Sequence, residues 1–129
     1  MKEDILKANQ SFYKAFANGD HEAMDALWAR KHAVSVIHPG WGGLHGRNAV
    51  MDSWRRILEG DNNNDIQCEQ PIVFLTHDLA YVTCHEVFPN GQLIATNIFI
   101  WEDNTWRMVH HQAGPLNQPG NTSGQTSVH

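Results

Sequence analysis

The chain has 129 residues, of which 41% are hydrophobic and 18% charged, and its formal net charge is -5. That length suits a single domain with its own core, and an acidic chain without a Lys/Arg cluster is a poor partner for nucleic acid or an anionic membrane surface. No apolar run approaches the roughly 20 residues of a membrane span, and the charged N-terminal segment does not resemble a signal peptide. We therefore expect a cytoplasmic protein whose two cysteines, Cys68 and Cys84, are reduced.

Two helices are predicted at the start of the chain. Residues 3–18 carry apolar side chains at helical spacing, which predicts an amphipathic helix, and Gly19 is a natural residue to end it. Asp20 is a typical N-cap for a second, short helix that begins immediately afterwards. The apolar stripe of the first helix consists of Ile5, Ala8, Phe12 and Phe16.

A short strand and a third helix follow. Alternation of apolar and polar residues over Val34–His38 predicts the strand, which the glycine-rich segment Pro39–Gly43 interrupts. Arg47–Leu58 has helical spacing, and Trp54 lies in its apolar stripe, so we expect Trp54 in the core. Trp41, a large aromatic residue in the glycine-rich segment, either covers a pocket or packs on the third helix.

The second half of the chain has the pattern of β-strands. Asn90-Gly91 and Asp103-Asn104 are typical two-residue hairpin turns, so the strands should form an antiparallel meander. The four predicted strands cover residues 66–75, 79–88, 93–102 and 105–113. Three N-terminal helices packed on a strongly bent, mostly antiparallel sheet give an α+β fold class. We expect one domain over residues 1–115 and a flexible polar tail over residues 116–129.

The two turns fix a register and therefore predict which residues share a face. If each turn has two loop residues, Cys84 lies opposite Asn97 and Asn97 lies opposite His110, with Glu86 one row away. Two apolar rows lie beside these polar ones, so this face predicts a cavity with an apolar wall and a polar mouth. The apolar rows are Ile72, Val82, Phe99 and Met108, and then Phe74, Ala80, Trp101 and Trp106.

The opposite face of the predicted sheet is mixed but fairly apolar. Thr83, Ile98 and Val109 form its central row in the same register, and His111 lies in the next row. Because the chain has enough helices to cover one side of the sheet, we expect this face to pair with the same face of a second copy.

Histidine and glutamate are the candidates for acid–base chemistry in the predicted cavity. His110 titrates near neutral pH, and Glu86, if buried beside apolar side chains, would have a raised pKa and could act as a base. The alternative is that His110, Asn97 and Glu86 only satisfy one another's hydrogen bonds. We therefore name Glu86 and His110 as catalytic candidates. The ligand-binding candidates are His38, Trp41, Cys84, Asn97, Phe99 and Gln112.

The chain has nine histidines, which invites a search for a metal site. No HxH or HxxxH pair falls on one predicted element, so scattered surface and core histidines are the better explanation. We expect no metal and no cofactor. The expected partners are a small apolar molecule with few polar atoms and a second copy of the chain.

Several short motifs occur along the chain, and their order and spacing together indicate a family more specifically than any single motif does. They are Phe12-Tyr13, Gly19-Asp20, His38-Pro39-Gly40-Trp41, Gly46-Arg47 and Trp106–His111. Over about residues 3–115, the chain resembles the nuclear transport factor 2-like superfamily in its SnoaL-like branch. The ending, WxxVH followed shortly by a small residue and Pro115, is also similar to the association domain of calcium/calmodulin-dependent kinase II.

The resemblance implies a cone-shaped α+β fold that is usually dimeric through the sheet. The superfamily includes isomerases, polyketide cyclases, dehydratases and oligomerisation domains, so the fold alone does not select an activity. The kinase association domain lines its pocket with arginines, whereas the matching positions here are Glu86 and Asn97. Three hypotheses stay open: a small-molecule-binding homodimer, a cofactor-free lyase or isomerase with Glu86 or His110 as general base, and an oligomerisation module.

Overall fold

The computed structural model describes residues 1–60 and 65–116. Within them, three helices pack against a six-stranded sheet, which confirms the predicted α+β fold class. The predicted flexible tail lies outside the described residues from position 117 onward. The helices are α1 (Lys2–Asn18), α2 (His21–Leu27) and α3 (Arg47–Glu59). The strands are β1 (Ser35–Ile37), β2 (Leu44–His45), β3 (Gln67–Leu75), β4 (Leu79–Phe88), β5 (Gly91–Glu102) and β6 (Thr105–Pro115).

The strand order is β2-β1-β6-β5-β4-β3. The neighbouring strands are antiparallel except β1 and β6, which are parallel and place Val36 beside His111. The two-residue strand β2 has no counterpart among the predicted strands, and it pairs with β1. The parallel pairing brings the end of β1, and the glycine-rich segment after it, next to the histidines of β6.

The first helix ends, and the second begins, where the sequence predicts. Gly19 has a φ of 62°, and its N–H donates to the carbonyl oxygens of Ala15 and Phe16. A left-handed conformation of this kind is cheap for glycine and ends the helix. The side chain of Asp20 then accepts a hydrogen bond from the N–H of Ala23 at 3.0 Å, which starts α2.

One arginine holds the segment after α2 against α3. The guanidinium group of Arg47 donates to the carboxylate of Asp25 at 2.8 Å and to the carbonyl oxygens of Trp28 and Ala29 at 3.0 Å. A planar guanidinium with several N–H donors suits such a multiple contact. Trp54 lies in the core, as predicted, and is fully buried.

The core lies between the helices and the inner face of the sheet. Phe12 of α1, Trp54 of α3 and Phe99 of β5 are all fully buried. The ring centroid of Phe12 lies 5.4 Å from that of Trp54 and 4.9 Å from that of the His111 imidazole. The aromatic core therefore surrounds a histidine.

The β4–β5 turn lies one residue earlier than predicted, at Pro89-Asn90. Glu86 consequently pairs with Leu93, and Cys84 pairs with Ala95 rather than with the predicted Asn97. The register thus moves by two residues along β5. Because side chains alternate between faces with a period of two, this shift leaves the predicted faces of β4 and β5 unchanged.

A register shift in β3 overturns part of the predicted apolar wall. The pairing with β4 is irregular between Glu69 and Ile72, and Gln70 has a φ of 57°. An extra residue of this kind exchanges the faces of every residue beyond it. Val73 therefore points to the core, while Ile72 and Phe74, predicted to face inward, are 56% and 41% exposed.

A second register shift lies in β6. The pairing with β5 is as predicted from the turn to Met108, after which Val109 is an extra residue. Asn97 consequently pairs with His111, and the predicted pairing of Asn97 with His110 is wrong. One extra residue has exchanged the faces of the two adjacent histidines.

The outer face of the sheet carries a cluster of exposed apolar side chains, which we call the outer apolar patch. Of the predicted central row, Thr83 and Ile98 lie on this face and are half-buried, whereas Val109 lies at the bulge. The large apolar residues of the patch are Ile72, Phe74, Leu79, Tyr81 and Ile94.

Candidate functional site

A cavity of about 230 Å³ opens beside the aromatic core, and we call it the Trp41 cavity. Two histidines and one glutamate supply its titratable groups, and the other lining residues are apolar or aromatic. Three of the predicted site residues, His38, Trp41 and Glu86, meet here. The lining residues are Phe16, His38, Pro39, Trp41, Ile57, Glu86, Phe88, Leu93 and His111.

The β6 histidine of this cavity is His111, so the prediction that His110 faces it is wrong. His110 points to the outer face, where its Nδ1 lies 2.7 Å from Oγ of Ser35. Gln112 is exposed on the same outer face, so its predicted place in the ligand-binding row is also wrong. The cause is the extra residue Val109, and a run of two histidines does not indicate where such a bulge falls.

Asn97 determines which nitrogen of His111 carries the proton. The amide nitrogen of Asn97 donates to Oδ1 of Asn9 at 2.9 Å and to the hydroxyl of Tyr13 at 3.1 Å, which leaves its Oδ1 as an acceptor. Nδ1 of His111 lies 2.5 Å from this oxygen and therefore donates to it. Burial lowers the pKa of His111 to about 3, so the ring is neutral at pH 7 and Nε2 keeps its lone pair.

Glu86 lines the Trp41 cavity and is almost completely buried. The hydroxyl of Tyr13 donates to its Oε2 at 2.6 Å, and Nε2 of His111 lies 3.8 Å from the same oxygen. Burial raises the pKa of Glu86 to about 7, although the hydrogen bond from Tyr13 acts in the opposite direction. The carboxyl group is therefore present in both protonation states near neutral pH, and it can give or accept a proton.

Tyr13 and Asn9 belong to this network, although neither was predicted as a site residue. They lie one turn apart on α1 and face inward, with 5% and 1% of their surfaces exposed. Burial and the charge of Glu86 raise the pKa of Tyr13, so its hydroxyl stays protonated. Their spacing is the signal that could have found them, because polar side chains on the apolar face of a helix need hydrogen-bond partners inside.

Three predicted ligand-binding residues lie behind the cavity lining rather than in it. Cys84, Asn97 and Phe99 are at most 1% exposed, and none of them lines the Trp41 cavity. Sγ of Cys84 lies 3.3 Å from the hydroxyl of Tyr13. A hydrogen bond with Cys68 and burial raise the pKa of Cys84, so it is a protonated packing thiol.

His38 and Trp41 supply another part of the lining. The hydroxyl of Ser53 donates to the carbonyl oxygen of Val50 at 2.7 Å, so its oxygen accepts a hydrogen bond from Nε2 of His38 at 2.9 Å. The Trp41 ring stands edge-on to His38 at 4.9 Å and is 38% exposed, with the guanidinium carbon of Arg56 5.4 Å from its centroid. Burial and the charge of Arg56 lower the pKa of His38 to about 4.

Among residues 1–60 and 65–116, no group of three or more His, Cys, Asp or Glu side chains is arranged to hold a metal ion. His38, Glu86 and His111 therefore share a cavity without forming such a group. In the same part of the chain, no helix is both long enough and apolar enough to cross a membrane.

Known proteins resemble this chain in sequence and in structure. A family model of the SnoaL-like domain matches residues 5–117. A candidate dehydratase of the nuclear transport factor 2-like family from Streptomyces avermitilis is 30% identical, with a TM-score of 0.80 and coverage of 90% of this chain and 96% of that one. A candidate calcium/calmodulin-dependent protein kinase type II association domain from Thiobacillus denitrificans is also 30% identical, with a TM-score of 0.74 and coverage of 85% and 93%.

A plant protein matches the same region in sequence. The F-box protein SKIP8 of Arabidopsis thaliana is 27% identical over 114 residues, which make up 87% of this chain and 49% of that protein. The chain thus spans about half the length of the curated relative it matches.

Proposed function

We propose that this chain, which belongs to the SnoaL-like domain family, binds a small, largely apolar carbonyl compound in the Trp41 cavity and moves a proton on it without a cofactor. The reaction class is that of a lyase or an isomerase. The observation that carries the proposal is the carboxyl group of Glu86, which is buried, lines a cavity and has a pKa of about 7.

The size and lining of the cavity support this ligand class. Its volume of about 230 Å³ is smaller than the roughly 300–1,000 Å³ of pockets that hold drug-sized ligands. Phe16, Ile57, Phe88 and Leu93 offer apolar surface, while the polar lining groups are few. A compound with one carbonyl group and a short hydrocarbon body would bury its apolar part and keep its oxygen near the polar groups.

The surroundings of Glu86 favour proton transfer over binding alone. Its protonated form can donate to a carbonyl oxygen or a departing hydroxyl group, and its ionised form can accept a proton from carbon. The hydrogen bond from Tyr13 orients this carboxyl group, and Nε2 of His111 lies 3.8 Å from its Oε2. The similarity to a candidate dehydratase supports elimination of water as one such reaction. Of the two predicted bases, Glu86 remains the candidate, assisted by His111, while His110 lies on the outer face of the sheet.

The outer apolar patch supports a homodimer through the sheet. Its residues come from three adjacent strands, and Phe74 and Tyr81 stack with ring centroids 4.7 Å apart. Several large apolar side chains exposed on one face of a sheet are typical of a protein interface, whereas single exposed apolar residues need no explanation. In the proposed dimer each subunit keeps its own Trp41 cavity, since the cavity lies on the helix side of the sheet.

The test of the proposed function uses diacetone alcohol, a small β-hydroxy ketone that loses water to give mesityl oxide. Formation of this conjugated ketone is followed by ultraviolet absorbance with the wild type, Glu86→Gln and Glu69→Gln. Glu69 is the matched control because it is exposed on the neighbouring strand β3. We expect the control to match the wild type and Glu86→Gln to be slower by roughly a hundredfold. Equal rates for all three proteins, or no rate above buffer, would contradict the proposal.

A further inference from the structure

We propose that His38 is a second proton-transfer residue of the Trp41 cavity, a general base that removes the hydrogen next to the carbonyl group of a β-hydroxy carbonyl substrate while Glu86 protonates the departing hydroxyl. The inference rests on the proposed function and narrows its substrate class to compounds with a hydroxyl group two carbons from the carbonyl carbon. The observation that carries it is a buried imidazole in the cavity whose tautomer is fixed by its neighbours and whose second nitrogen has no hydrogen-bond partner among residues 1–60 and 65–116.

The tautomer of His38 follows from the hydrogen bonds of Ser53. A serine hydroxyl has one hydrogen, and Ser53 gives it to the carbonyl oxygen of Val50 at 2.7 Å. The contact of 2.9 Å between Oγ of Ser53 and Nε2 of His38 therefore needs its hydrogen from the imidazole. In the neutral ring Nδ1 is then left unprotonated, with a lone pair that can accept a proton.

Nδ1 of His38 faces the cavity. It makes no hydrogen bond within the described part of the chain. Since it is not among the unpaired side-chain nitrogens that are fully buried there, part of its surface is accessible. Since His38 is only 3% exposed and lines the Trp41 cavity, we assign the accessible surface of this nitrogen to that space. The ring is held edge-on by Trp41 at 4.9 Å and by Trp54 at 4.8 Å, so its direction is fixed.

Nε2 of His111 likewise makes no hydrogen bond to the described residues, but its position suits a different task. Nε2 of His111 lies 3.8 Å from Oε2 of Glu86 and is therefore directed at the carboxyl group. The imidazole centroids of His38 and His111 lie 6.4 Å apart, and both rings line the Trp41 cavity, so a substrate bound there can contact both groups. His38 remains neutral at pH 7 because burial and the charge of Arg56 lower its pKa to about 4. A general base with a pKa near 4.6 is known to serve in enolisation.

The proposed step balances without a further reactant. The C–H bond next to the carbonyl breaks and its proton passes to Nδ1 of His38, while its electron pair forms the C=C bond. The C–O bond of the hydroxyl group breaks, and the oxygen takes the proton of Glu86 and leaves as water. The imidazolium of His38 then releases its proton to solvent, and the carboxylate of Glu86 takes one up. The net change is one β-hydroxy ketone converted to an unsaturated ketone and water.

The experiment separates the base from the acid with two probes. Cyclohexanone in deuterated water reports removal of the hydrogen next to the carbonyl, since it has no hydroxyl group to lose, and diacetone alcohol reports the full elimination. We expect His38→Gln to slow deuterium uptake into cyclohexanone by roughly a hundredfold, and Glu86→Gln to slow it far less. Both variants should slow elimination. His45→Gln, an exposed histidine on β2, is the matched control and should behave as the wild type.

A second variant keeps the inference testable if His38→Gln does not fold. Ser53→Ala removes the oxygen that accepts a hydrogen bond from Nε2 of His38. Part of the His38 population should then carry its proton on Nδ1, which the imidazole nitrogen NMR signals report. Deuterium uptake should slow in proportion to that fraction. Uptake that persists in His38→Gln and is lost in Glu86→Gln would overturn the inference and leave the proposed function standing, with Glu86 as the base. A wild type that neither binds cyclohexanone nor converts diacetone alcohol would overturn the proposed function itself, and this inference with it.

Discussion

Nδ1 of His111 donates a hydrogen bond to Oδ1 of Asn97, so an amide on β5 decides which ring nitrogen of His111 carries the proton. The same amide donates to Asn9 and Tyr13 on α1. One side chain therefore links the helix to two strands and orients the groups around Glu86. Networks of this kind stabilise a fold only when each member is satisfied, which makes each replacement informative.

Replacing Asn97 with Asp should raise the pKa of His111 from its value of about 3. A carboxylate at this position still accepts from Nδ1, and its negative charge favours the imidazolium. The variant also loses the two N–H donors of the amide, which should lower the free energy of unfolding by about 1–3 kcal/mol. NMR titration of the imidazole signals measures the shift, and His110, on the outer face, is the internal control. An unchanged pKa of His111 would contradict the hydrogen bond.

Glu86→Gln should change the pH dependence of stability. In the unfolded chain a glutamate ionises near pH 4.5, whereas the native carboxyl group stays protonated up to about pH 7. Its contribution to stability is therefore fully present below pH 4.5 and is lost as the pH rises through about 7. Relative to the wild type, the variant should gain up to about 3 kcal/mol across this window. Urea unfolding on both sides of the window measures this gain, and the difference between Glu69→Gln and the wild type should stay flat.

Tyr13→Phe should destabilise the protein, whereas Tyr81→Phe should not. The hydroxyl of Tyr13 donates to Glu86 and accepts from Asn97, so its loss leaves buried groups unpaired at a cost of about 1–3 kcal/mol. It should also raise the pKa of Glu86 further, because the Tyr13 hydrogen bond lowers it. Tyr81 is 36% exposed on the outer face, and its change should stay within about 0.5 kcal/mol. Equal stabilities of the two variants would argue against the buried network.

Ile94→Lys should convert the proposed dimer to a monomer. Ile94 is 39% exposed in the outer apolar patch, and a charge there would be buried without a partner in a sheet-to-sheet dimer. Trp101→Lys is the matched control, because Trp101 is 47% exposed but lines a groove with Lys7 and Ala8 of α1 on the helix side. Sedimentation at protein concentrations on the order of 10⁻⁵ M measures both. A monomeric wild type at that concentration would contradict the assembly.

Signals confined to a few neighbouring residues were sufficient to predict much of the fold. Gly19 and Asp20 place the boundary between α1 and α2, because conformational freedom and side-chain capping are properties of single residues. Asp103 and Asn104 have φ values of 53° and 64°, the positive values that a tight hairpin turn needs. The predicted inward faces of Glu86 and Asn97 are likewise observed, because the error in the β4–β5 register was an even number of residues.

Features set by distant parts of the chain were not predictable in the same way. The bulges near Gln70 and at Val109 shift the register of β3 and β6, and no local pattern marks either position. The sequence of β1 does not indicate that it pairs with β6, and the sequence around His38 does not indicate its contact with Ser53. The bulge in β6 decides that His111 rather than His110 faces the cavity. The contact with Ser53 fixes the tautomer of His38.

The bulge at Val109 has a consequence if β6 slips by one residue against β5. Were the extra residue to move past the histidines toward Pro115, the regular pairing would place His110 opposite Asn97 and send His111 outward. Two adjacent histidines thus provide an imidazole at this position in either alignment of the strand. A variant without His111 can still place the imidazole of His110 beside Asn97 if the strand slips by one residue. A variant without both histidines cannot, so the double replacement should disturb the cavity more than either single replacement.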